Sequence, residues 1–187
     1  MDVKLEKWHK CKVDIEVLKE LSKKSDLKGL QHISVFFGLL IITGLLAYIT
    51  WGTWWSVFWF LVYGNIYSFS NPLWHETGHK TAFKSKFLNE FFYYLSSFMA
   101  NFEPTRWRYS HFVHHGNTYS IENPFDHEIE YGNDLKETPK RLIINIIPFL
   151  DLVFIKKHIS FEIFQHAFGI KTKVMEDCIP ENAQAKA

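Results

Sequence analysis

From residue 33 to residue 74 the chain carries no Asp, Glu, Lys or Arg. One membrane-spanning helix takes about 20 apolar residues, so this stretch is long enough for two. It is interrupted at TWGTWW, where Thr50, Gly52 and Thr53 break the apolar run. Trp51, Trp54 and Trp55 there offer the amphipathic rings that settle at a headgroup boundary. The pattern predicts an all-α membrane protein built on one tight transmembrane hairpin, with spans over residues 30–49 and 54–69. An uncharged run of this length exceeds what the core of a soluble hairpin usually carries. It starts too far from the N-terminus for a cleaved signal peptide.

The flanks set an expected orientation. Eight Lys lie in residues 1–31, and Lys80, Lys84 and Lys86 follow the second span, while the turn between the spans is uncharged. The excess of Lys places both ends of the hairpin in the cytoplasm. Before the hairpin, Val13, Val17, Leu18 and Leu21 recur at roughly helical spacing among Lys, Asp and Glu, which predicts an amphipathic surface helix. After it, Phe87, Leu88, Phe91, Phe92, Leu95, Phe98, Met99 and Phe102 trace one stripe of a helix, with Asn89, Glu90, Ser96, Ser97 and Asn101 on other faces. The stripe reads as packing against the rest of the protein in preference to lining a substrate. A last pattern, Leu142, Ile143, Ile146, Phe149, Leu150, Val153 and Phe154, is interrupted by Pro148 and Asp151, is short for a span, and predicts an interfacial helix. The chain thus divides into a cytosolic segment over 1–29, the hairpin over 30–70, a region of interfacial helices over 71–175 and a polar tail over 176–187.

Composition narrows the function. A formal net charge of +1 on 187 residues gives no basic field for nucleic acid, and 18% aromatic residues suit a chain that meets lipid. Cys11 and Cys178 form no C-x-x-C pair and predict no disulfide framework; they read as reduced thiols facing a cytosol. The ten His are many, and five of them fall in two short stretches.

In WHETGHK, His75 and His79 stand one helical turn apart with Glu76 between them. This is the H-E-x-x-H pattern in which two His hold zinc and the Glu is a base. In HFVHH, His111, His114 and His115 again share one helical face. Two separate faces therefore offer five imidazoles next to the membrane. A zinc peptidase needs three protein ligands and an open position, which His75 and His79 plus His111 or Glu128 would supply. That leaves other His unused. Imidazole also suits iron, and a second metal would employ them.

The H-x3-H box after a hydrophobic hairpin, followed by WRYSHFVHHGNT with an H-x2-H-H box, resembles the membrane fatty acid desaturase and hydroxylase superfamily. The resemblance implies a non-haem centre of two irons held by His75, His79, His111, His114 and His115, with Glu76 orienting a ligand. It implies an oxidoreductase that uses O2 to remove hydrogen from an acyl chain presented as an acyl-lipid, acyl-CoA or acyl-carrier-protein. Electrons would come from a separate protein such as a ferredoxin or cytochrome b5. The boxes would face the cytosol from a bacterial inner membrane or endoplasmic reticulum. Arg106 and Arg108, just before the second box, could meet an acidic donor or a headgroup, or form internal ion pairs.

Members of that superfamily carry a second membrane hairpin and a third His-rich box. After Met175 this sequence reads EDCIPENAQAKA, and His9, His32, His127, His158 and His166 form no such box. The expectation is a chain truncated before the third box, half of a site completed by another chain, or an inactive lipid- or partner-binding remnant. His127, in NPFDHEIEY, reads as part of a solvated acidic loop in preference to an extra ligand.

Overall fold

The computed structural model describes residues 12–116, 127–128 and 159–185. Among these the chain is all-helical. The apolar pattern over residues 142–154 lies outside them, as do His9 and His158.

Helix α1 (Ile15–Leu21) is capped by the Asp14 carboxylate, which accepts from the Glu16 and Val17 amides, and it buries no residue. Helix α2 (Asp26–Ile49) starts on the Ser25 hydroxyl and runs 24 residues. It is the one described helix long and apolar enough to cross a membrane. Thr50, Gly52 and Thr53 then turn the chain, with Gly52 at φ 83°, a conformation that disfavours a side chain. Helix α3 (Trp54–Tyr67) returns against α2. The helices close over small and hydroxylated residues: Ala47, Thr43 and Ser56 are buried, and Gly44 lies against the Tyr63 ring. Small residues at such a contact let two helices approach where water provides no drive. Val35, Ile41, Ile42, Leu45, Ile49, Trp54, Trp55 and Leu61 all point outward. The predicted pair of helices is therefore present. At 14 residues, though, α3 rises only about 21 Å, short of the ~30 Å hydrocarbon layer.

The helical path continues almost at once into α4 (Ser70–Gly78). Pro72 explains the break between them. It has no N–H for the Ser68 carbonyl one turn back, and the Asn71 amide takes that carbonyl instead, at 3.2 Å. Helix α4 ends in a tight cap. The Lys80 amide bonds the Thr77 carbonyl and the Thr81 amide the Glu76 carbonyl, with Lys80 at φ 58°.

Helix α5 (Lys86–Met99) packs against α4, and only part of its apolar stripe turns inward as the sequence predicts. Its buried residues are Asn89, Phe92, Tyr93, Ser96 and Ser97. Phe87, Phe91, Tyr94 and Phe98 face outward, Phe98 being 84% exposed. The apolar stripe is thus split: Phe87, Phe91 and Phe98 form an outer face, while Phe92 is buried and Leu88 and Leu95 pack against the core beside the buried polar edge. The buried Ser96 hydroxyl is satisfied locally by the Phe92 carbonyl at 2.6 Å. A small core of Ile33, Phe83 and Phe92 ties α2 to α5. The Ser85 amide donating to Asp26 at 2.8 Å and Lys24 donating to the Lys80 carbonyl at 2.7 Å hold the 79–85 turn against the start of α2.

Helix α6 (Pro104–Gly116) packs on α5. Pro104 suits its first turn, and the Glu103 carboxylate caps it by accepting from the Thr105 and Arg106 amides. Helix α7 (Ile159–Ala167), α8 (Lys173–Cys178) and the short α9 (Glu181–Gln184) follow, and α8 lies against α6.

Candidate metal centre

Helix α4 brings His75 to one side of the site, with His79 capping it, and the two ring centroids lie 4.6 Å apart. Helix α6 brings His111 and His115, again one turn apart, with centroids at 4.5 Å. The two pairs face each other. His75 to His111 is 4.8 Å and His79 to His115 is 4.7 Å between centroids. The ligand nitrogens of these four residues all lie within 4.8 Å of one another. His115 Nε2 is 3.0 Å from His111 Nε2 and 3.2 Å from His79 Nε2. Nitrogens about 2.0–2.1 Å from a common ion lie roughly 3–4 Å from each other. The spacing therefore has the scale of one metal position.

The environment keeps these rings fit to ligate. Burial, then the neighbouring imidazoles, pushes His79 and His115 below the usual His value of 6.5. Neutral imidazole is the form that binds a metal. Four imidazole nitrogen donors converging from two helices fit an iron or zinc ion by chemistry and by size.

Trp74 floors the site. It is buried, and its ring lies 5.2 Å from His111, 6.2 Å from Tyr93, 5.0 Å from Phe102 and 5.8 Å from Trp107. Burial pushes the Tyr93 hydroxyl up to about 12, and it donates to the Pro104 carbonyl at 2.6 Å, joining α5 to the start of α6. The Tyr67 hydroxyl donates to the Met99 carbonyl at 2.9 Å and fixes the far end of α5 to α3.

Of the residues singled out in the sequence, His75, His79, His111 and His115 come together. His114 sits beside them, its ring 6.0 Å from His111 and 5.9 Å from His115, outside the four-nitrogen group. Glu76 accepts a hydrogen bond from the Thr81 hydroxyl, and its carboxylate is 3.8 Å from His75 Nδ1, beyond hydrogen-bond length. His127 pairs with Asp177 of α8 at 2.9 Å, away from the cluster. The arginines look inward. Arg106 pairs with Glu162 at 3.2 Å, and Arg108 pairs with Glu90 at 2.9 Å while its guanidinium lies over the Tyr93 ring. Neither is a free docking cation. Glu128, which the sequence offered as a third ligand of a peptidase site, lies 2.9 Å from His111 Nδ1 on the side away from the cluster.

A model of a family described as fatty acid desaturase matches residues 49–172, more than half of the chain. No curated protein and no solved structure matches it.

Proposed function

The chain belongs to the fatty acid desaturase family, and from that premise we propose that it is an acyl-chain desaturase-like oxidoreductase of a membrane. The zinc-peptidase alternative gains no support from the match. One observation carries the proposal: four imidazole donors from α4 and α6 share a single pocket beside an apolar helical pair.

The substrate's CH2 groups are too inert for side-chain acid–base chemistry. Bound non-haem iron supplies their O2-dependent oxidation. The chain's own residues supply the rest. His75, His79, His111 and His115 hold the metal, and Trp74, Tyr93 and Trp107 close the floor against water. Overall the acyl chain gives up two hydrogens as two electrons and two protons. O2 takes these, with two more electrons from a separate donor protein such as a ferredoxin or cytochrome b5 and two more protons from solvent, and leaves as two waters. The family is typically di-iron. In this reading His114, beside the four-His group, contributes to a second position. The acyl chain arrives as an acyl-lipid, acyl-CoA or acyl-carrier-protein.

The membrane reading has α2 as one span and α3 with the start of α4 as the second, both opening to the cytosol. Outward Phe87, Phe91 and Phe98 lay α5 along the bilayer surface. Metal analysis of the protein purified in detergent tests the proposal. Iron is expected, with loss of most of it in His79→Ala or His115→Ala and double-bond formation on acyl chains in membranes given a reductant. Stoichiometric zinc with no iron, or no bound metal at all, refutes it.

A further inference from the structure

We propose that Glu128 is a positioning residue for His111, fixing the imidazole so that Nε2 faces the metal pocket. The proposal rests on the reading of the four-His group as a metal site.

The two nitrogens of His111 have opposite surroundings. Nε2 lies 3.0 Å from His115 Nε2, inside the cluster. Nδ1 lies 2.9 Å from Glu128 Oε2, on the outer side. An ionised carboxylate only accepts, so Nδ1 must carry the proton and the Nε2 lone pair is left for a metal. Both side chains are nearly buried, His111 14% and Glu128 12% exposed, so water competes little for the bond. The orienting role expected of Glu76 from the sequence is, for His111, filled by this other carboxylate.

The carboxylate is itself held. Ser110, fully buried, donates from Oγ to Glu128 Oε1 at 3.2 Å and accepts from Arg106 Nη1 at 3.3 Å. One hydroxyl used once as donor and once as acceptor has a single consistent proton arrangement. Arg106 is anchored in turn by Glu162 of α7, whose carboxylate also accepts from Thr172 at 3.4 Å. A continuous polar chain thus runs from the metal face of α6 through its back to the C-terminal helices. Groups that orient a ligating His in this way raise its basicity and fix its tautomer.

The test uses Co(II) as probe, titrated by absorption into the metal-stripped chain in detergent. It compares the unaltered protein with the near-isosteric Glu128→Gln. Loss of Glu128 is expected to weaken Co(II) binding about 10–100-fold. In 15N-histidine-labelled, metal-free protein, the His111 signal should change from Nδ1–H in the unaltered chain to a tautomer mixture in Glu128→Gln. Ser110→Ala removes only the group that holds Oε1. It is expected to weaken binding in the same direction by less, and it serves if Glu128→Gln does not fold. If the unaltered chain takes up no Co(II), the metal site and the role of Glu128 both fall. If the variants bind as tightly as the unaltered chain, or bind weakly with the His111 tautomer unchanged, the positioning role falls and the metal site stands.

Discussion

Replacing Gly29 with Ala should destabilise the protein, although alanine is the better helix former. Gly29 lies in the first turn of α2, where the 79–85 turn crosses it. A Cβ built there would lie 2.6 Å from the Ala82 carbonyl oxygen and 2.6 Å from two atoms of the Phe83 ring. Ordinary contact begins near 3.4 Å, so backbone or ring must retreat by several tenths of an ångström. Neither is free to do so. Phe83 is fully buried and stacked on Phe92 at 5.3 Å, and the 79–85 turn is tied to α2 through Ser85–Asp26 and Lys24–Lys80. Overpacking of this kind costs about 1–3 kcal/mol, against a gain of roughly 1 kcal/mol in helix propensity. Three contacts inside the limit favour the upper end, for a net loss of about 2 kcal/mol. That corresponds to a fall of roughly 4–8 °C in Tm for a chain of this size.

Gly38→Ala is the matched control, since a Cβ there meets nothing within 4 Å. Thermal unfolding in detergent should show Gly38→Ala unchanged or slightly raised and Gly29→Ala lowered. The same turn carries the chain away from His79, so Co(II) affinity should fall in Gly29→Ala and hold in Gly38→Ala. A Gly29→Ala protein as stable as the control refutes the argument that this close approach seats α4 and its histidines.

Lys80→Gly should stabilise by about 1 kcal/mol, because Lys80 sits at φ 58° in the cap of α4. The exposed Lys80–Glu90 pair it loses, at 3.7 Å, is worth little, so an unchanged or lower Tm contradicts the strain assigned there. His79 and His115 lie below their ordinary value of 6.5 through burial first and neighbouring imidazoles second. The unfolded chain therefore takes up protons before these two do, and stability of the metal-free protein should drop as pH falls below about 6.5. A Tm that stays level from pH 7.5 to 5 removes that contribution. Nitroxide labels at Phe91→Cys and Phe98→Cys, on a background without Cys11 and Cys178, should be more accessible in vesicles to dissolved oxygen than to a nickel chelate. The reverse order places the outer face of α5 in water.

The positions most legible in the sequence are those whose cause is local. Helix α3 begins at Trp54, where the apolar run resumes after Gly52, and each His pair shares a helix face because spacing alone decides that. Periodicity also located α5, but it cannot say which solvent a stripe meets. The rule that apolar positions turn inward presumes water outside. Beside an apolar hairpin Phe87, Phe91 and Phe98 of that stripe turn out, and Asn89, Ser96 and Ser97 turn in. The features around the metal face were least legible, since each joins residues distant in sequence. Arg106 meets Glu162 and His111 meets Glu128, and neither end of such a pair carries a local mark of its partner. A buried arginine and a buried serine one turn apart on α6 are costly unless something satisfies them. That cost, more than any motif, identifies the back of α6 as part of the site, and it makes the orientation of His111 depend on the C-terminal helices as much as on the histidine boxes themselves.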